Sequence, residues 1–288
     1  MLIPEQHRIF KVALAVVIVT SISVTNQGLA APRVTTTHRG DWWITESQNF
    51  NLWTKSSSEE TTEIIHHCER LRHELQEKWI DPNSPSHEPW TLPCVVVIHS
   101  SVHEYARAVP PHAANSSGCT TVTVDAGRVI FRRIDLRTDS LAWRENALPH
   151  ELTHVVLADR FPEGNLPPWL NEGLATLAES ETLKHRRKNV LQTAWQSGTV
   201  PSLKTLMTAE QTAASVNVDV LYACRSSLLK FLEGERDHAS LTRFVQQVVE
   251  TDCNHALRSV YEFENGLAEL EQRWLRCLER ECVSIPRG

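Results

Sequence analysis

The sequence predicts an α+β fold, with a small mixed β-sheet in the N-terminal half and a mainly helical C-terminal half. Short β-branched runs such as Cys94-Val95-Val96-Val97-Ile98 gather before about residue 138. From about Asp139 onward, apolar residues recur at helical spacing. Near that junction His150-Glu151-Leu152-Thr153-His154 sets two histidines four residues apart, which a helix stacks on one face.

At the N-terminus, Arg8 and Lys11 precede an apolar run from Val12 to Val19, and Gly28-Leu29-Ala30 supplies the small residues of a cleavage site. Residues 1–31 are therefore expected to be a signal peptide, with an uncleaved anchor as the alternative. The run is too short and too interrupted for a confident span. Cleavage would leave a secreted or periplasmic protein with no stable membrane insertion. The remaining domain is expected over 42–280, β-rich through 138 and helical from 139.

Within it, Phe50-Asn51-Leu52-Trp53 alternates as a half-buried strand does. From Glu59 to Trp79 the stripe Ile64, Cys68, Leu71, Leu75 and Trp79 predicts an amphipathic helix whose wet side carries His66, His67 and His73. Pro82 to Pro85 opens a loop, and Cys94 to Ile98 reads as a central strand. Thr120–Asp125 and Arg128–Ile134 form a hairpin joined at Ala126-Gly127. Asp139 or Ser140 is placed to cap a helix toward the motif, but Pro149 stands immediately before His150. Either the helix kinks there or Pro149 lies in its first turn after a short break. Pro168 to Trp169 begins the next helix, and further helices are expected at Thr182–Gln196, Val220–Glu233, Leu241–Thr251 and Gly266–Arg280.

Composition narrows the function. A formal charge of −6 and no basic tract interleaved with aromatics argue against nucleic acid as a partner. Seven cysteines suit an oxidising compartment, so some structural disulfides plus at least one free buried thiol are expected, with no pairing indicated. No Cys-x-x-Cys occurs, and a nucleophilic cysteine has no histidine arrangement to support it.

The motif points to a hydrolytic metal centre. Zinc takes about four ligands, and a catalytic site keeps one as water. His150 and His154 supply two, and Glu172 in Trp169-Leu170-Asn171-Glu172-Gly173-Leu174-Ala175 is the third, ahead of Glu179, Glu181 and Asp159. Glu151 is placed to act as general base on the metal-activated water. Tyr222, on an otherwise apolar helix, is the candidate oxyanion donor, with Tyr261 and His255 behind it. His99 and His103, also four apart, are the best alternative ligand pair.

These residues resemble the gluzincin metallopeptidases, in which His-Glu-x-x-His is followed by a glutamate ligand on the next helix. His150, Glu151 and His154 match the first element, and Glu172 the second as it stands in the aminopeptidase branch of the aminopeptidase/thermolysin superfamily. The stretch from Phe244 to Leu278 is similar to the closing helices of bacterial peptidase-MA-like domains, and so are the strands at Phe50 and Cys94. The resemblance implies a zincin-like fold over about 42–280. It departs in three ways. Seventeen residues separate His154 from Glu172, one fewer than usual. The Gly-Ala-Met-Glu-Asn amine anchor of aminopeptidases has no counterpart, Arg144-Glu145-Asn146 being a poor imitation. Thr176 stands where the thermolysin-like branch has an aspartate supporting a zinc histidine.

The expected function is zinc-dependent hydrolysis of peptide bonds in a peptide or protein substrate, by an endopeptidase or narrow-specificity peptidase. Two alternatives remain at this point: a non-catalytic zinc-containing domain that binds in the cell envelope, and a zinc amidase acting on a non-protein amide.

Overall fold

Strands β1 (Thr35–Arg39), β2 (Trp42–Glu46) and β3 (Phe50–Thr54) form an antiparallel meander in which β1 is exposed throughout. Phe50, Leu52 and Thr54 are buried and alternate with half-buried neighbours, the pattern of a strand covered more on one face than the other. The computed structural model describes residues 34–80, 88–140, 142–209 and 217–283, all within one unit, Arg33–Gly288. The expected signal peptide lies outside the described residues. Among those residues no helix is long and apolar enough to cross a membrane.

Helix α1 (Ser58–Trp79) follows, its first turn capped by the Ser57 side chain and its apolar stripe buried. It returns the chain so that β4 (Cys94–His99) pairs parallel with β3, Phe50 opposite Cys94. Val96 and Ile98 are fully covered, as a central strand requires. After α2 (Val102–Ala108) come β5 (Gly118–Asp125) and β6 (Arg128–Arg137), a hairpin closed by Ala126 and Gly127, both with positive φ. It is β6 that pairs parallel with β4, so β5 lies at the sheet's outer edge, giving the order β1-β2-β3-β4-β6-β5.

Helices occupy the rest: α3 (Ala147–Arg160), α4 (Pro168–Thr176), α5 (Glu181–Gln196), α6 (Leu203–Thr208), α7 (Val218–Glu235), α8 (His238–Glu250), α9 (Cys253–Tyr261) and α10 (Leu267–Val283). One apolar core runs from Phe50, Leu52 and Ile134 in the sheet through Leu148, Leu152 and Val156 of α3 to Leu229 and Trp274. The sheet followed by helices is the α+β arrangement expected, and the expected helices are present.

Several expectations need correction. Asp139 does not start a helix toward the motif; its carboxylate accepts from the Val102 amide at the head of α2 (2.9 Å). Of the two readings of Pro149 the second holds: it sits at the third position of α3, in the first turn, where no intrahelical N–H is required. The expectation of disulfides is overturned, because all seven cysteines are free. Cys68, Cys94 and Cys224 are fully buried and serve as small apolar side chains in a core large enough to need no crosslink.

Candidate metal centre

Leu148, Leu152, Val155 and Val156 bury one face of α3 completely, which leaves His150, His154 and Ala158 on another face, toward a cleft. Helix α4 begins with Pro168 at its first position and buries Trp169, Leu170 and Leu174. The residues left half-exposed between them, Asn171 and Glu172, face α3. Glu172 carboxylate oxygens lie 3.4 Å from His150 Nε2 and 3.7 Å from His154 Nε2. One donor atom from each of the three residues falls within 4.8 Å of the other two, so the cluster could hold a metal ion.

The donor chemistry fits a cation. Both imidazoles turn Nε2 toward Glu172 while Nδ1 is engaged behind: His150 with Glu179 (2.9 Å), His154 with Asn171 Oδ1 (3.0 Å). Such backing orients each ring and frees the other nitrogen for ligation. Glu179, in the turn between α4 and α5, is buried and takes two hydrogen bonds from Arg187 (2.7 and 2.6 Å). Burial alone would raise the Glu179 carboxyl; His150 and Arg187 outweigh it and hold it below the usual glutamate range. Burial alone would lower His150, but its hydrogen bonds to Glu172 and Glu179, with the Glu151 charge, lift it to about 10. That is an electrostatic environment built to favour positive charge at this point.

Glu151, beside His150 on the same helix, is buried against β5. Its carboxylate accepts from Thr120 Oγ1 (2.7 Å), and that hydroxyl also reaches the Glu151 carbonyl (3.0 Å). Gly118 gives it room: a β-carbon there would stand 2.7 Å from Glu151 Cγ. Tyr222 reaches the centre from α7, its ring 6.0 Å from that of His150 and its phenol within the field of the Glu172 and Glu151 carboxylates. Burial, then the Glu172 and Glu151 charges, push its phenol well above the ordinary range, so it stays a neutral donor. Together these groups line a cleft of about 380 Å³ whose other wall is β5, from Gly118 to Val122.

The other candidates lie elsewhere. His99 is buried against Asp135 (2.8 Å) and His103 is exposed on α2, so they do not form a ligand pair. Asp159 is committed to Arg132, and Glu181 is exposed beside Lys184. Tyr261 packs between Phe244 and Phe263, and His255 is exposed at the start of α9. Thr176 donates to the Gly173 carbonyl (2.6 Å), and it is Glu179 that backs His150.

Sequence reasoning weighed Glu179 only as a rival ligand. It missed Asn171, Thr120, Gly118 and Arg187. Asn171 was legible in principle, since it adjoins Glu172 and can place a side chain against the same helix. The β5 residues carry no such signal, because nothing in their spacing says which strand borders α3.

A family model described as the peptidase MA superfamily matches residues 117–279, from the start of β5 into α10. No curated protein matches the sequence.

Proposed function

The chain belongs to the peptidase MA superfamily, and on that premise we propose that it is a zinc-dependent peptidase. Its catalytic domain would extend over about 42–280, taking in the strands that precede the family match, and residues 1–31 would act as an export signal. His150, His154 and Glu172 would hold the ion. Zinc bound there would supply Lewis acidity to a carbonyl and make a water acidic at neutral pH.

Every other part of the chemistry falls to side chains. Glu151 accepts a proton from the attacking water, and the carbonyl carbon becomes tetrahedral. The same carboxyl then returns the proton to the leaving amine as the C–N bond breaks. Thr120 keeps the carboxylate on the cleft wall. Tyr222, neutral over the working pH range, donates to the oxygen that gains negative charge.

The observation that carries this reading is a three-donor cluster with Glu151 beside it, opening on a cleft bordered by a sheet-edge strand. A purely structural zinc domain calls for a fourth protein ligand, and the metal-capable group found among the described residues has three members. An extended peptide suits an edge strand better than a sugar would. With no counterpart of the amine anchor, endopeptidase or narrow-specificity cleavage is the preferred form.

The deciding experiment compares wild type with Glu151→Gln for zinc content and for cleavage of a peptide library. Zinc should be retained while turnover falls by about 10²–10⁴-fold, the scale of a lost general base. Undiminished cleavage by the variant would defeat the assignment.

A further inference from the structure

A second cleft, of about 430 Å³, opens between α5, α7 and α10. Its charge runs against that of the chain. The protein carries −6 overall, yet this cleft gathers Lys184, Arg187, Lys188, Lys230 and Arg280 against the carboxylates Glu235 and Glu281. Lys184 is paired with Glu181 and Arg187 with Glu179. Lys188 and Lys230 make no ion pair among the described residues. Lys78, nearby on α1, feels the crowding: burial lowers it first, Glu233 opposes, and Lys184 and Lys230 lower it further.

We propose that this cleft binds a small multivalent anion bearing phosphate groups, and that Arg187 links the bound anion to the metal centre. Cations reach the cleft from all three helices. A tetrahedral phosphate offers acceptors in several directions at once, whereas a planar carboxylate presents them in one plane. Two unpaired ammonium groups make more than one negative charge the natural complement. Arg187 belongs to both places. It lines the cleft, grips Glu179, which in turn holds His150 Nδ1, and lies 4.9 Å from the centroid of the Tyr222 ring. An anion drawing on Arg187 competes with Glu179 for the guanidinium, and the change is passed to the His150 imidazole. The anion site stands on the cleft alone, and only the link through Arg187 rests on the metal-centre reading, so calorimetry tests the first and the His150 signal the second.

The test uses the metal-free full chain, because polyphosphates also chelate zinc. Inorganic tripolyphosphate is titrated calorimetrically at fixed ionic strength, with citrate as the carboxylate arm. Saturable one-to-one binding is expected, weakened about tenfold or more in the Lys188→Gln/Lys230→Gln double variant and unchanged in Lys204→Gln, on α6 outside the cleft. That weakening is the scale of losing charge-assisted contacts. The His150 imidazole signal, assigned by a His150→Gln variant in a nitrogen-15 spectrum, should shift with tripolyphosphate in wild type and stay still in the double variant. No saturable binding, or equal loss in Lys204→Gln, overturns the site. Citrate binding as tightly as tripolyphosphate overturns the phosphate assignment, and an unmoved His150 signal overturns the link.

Discussion

A single methyl group at position 118 would land 2.7 Å from Glu151 Cγ and 2.9 Å from its Oε1, inside the distance real side chains tolerate. Glu151 is the flexible party, so it would swing off Thr120 before the strand moved. On the peptidase reading, Gly118→Ala is therefore predicted to fold and bind zinc as the wild type does while kcat drops at least about tenfold, the lower reach of disturbed acid–base catalysis. Steady-state kinetics beside a zinc determination checks this, and unaltered kcat would contradict it. At this scale the sequence was readable where chemistry sits on one helix. His150, Glu151 and His154 are four-residue neighbours, and their arrangement follows from helix geometry alone. It was unreadable where a strand lies against that helix, because the Thr120–Glu151 bond spans thirty-one positions.

Among elements, the contact between α4 and α7 governs where Glu172 stands. Gly173 lets the helices approach, since a β-carbon on it would meet Leu229 Cδ1 at 2.7 Å, and Leu229 is itself fully buried. Alanine would bring about 1 kcal/mol of helix propensity, against about 1–3 kcal/mol for overpacking a filled core. The net prediction for Gly173→Ala is a lower melting temperature together with weaker zinc binding, measured by chelator competition. A variant as stable as wild type with intact affinity would show that the spacing is not critical. Long helices were legible because their apolar stripes are long; α1 and α7 emerged from periodicity. Some shorter elements were not. Strand β1 is exposed at all five positions, α2 buries only Tyr105, and α6 buries only Leu203 and Leu206. In α9, Ala256, Leu257, Val260 and Tyr261 do keep helical spacing, but over nine residues, where periodicity decides little.

For the molecule as a whole, stability rests on one large apolar core and a small cluster of Tyr105, Val109 and Ala113, with no covalent crosslink among the described residues. The four buried cysteines, 68, 94, 224 and 282, sit within packing, while 119, 253 and 277 are partly accessible. Burial pushes the Cys68 and Cys224 thiols up to about 12, further suppressing the reactive thiolate. Thiol titration without reductant should thus find seven free thiols after denaturation, with the partly accessible ones reacting first in the native protein. Dithiothreitol should leave the melting temperature unchanged; a drop, or fewer than seven thiols, would refute this. The fold class was legible in the shift from β-branched runs to helical periodicity. Strand order was not, because the chain leaves β4, lays β5 at the outer edge and returns through β6 to fill the place between them, and that choice is made by tertiary packing.

The segment from Phe161 to Pro167 joins the histidine helix to the glutamate helix, and Gly164 within it adopts a positive φ. A tether of this kind limits how far apart its ends can travel but does not dictate how close they come. Closeness is set where the helices themselves meet. Counting residues between the two motifs is therefore a poor yardstick for kinship: a chain that gained or lost one or two positions here could keep the same three donors together. A search template with a rigid gap length would pass such chains by.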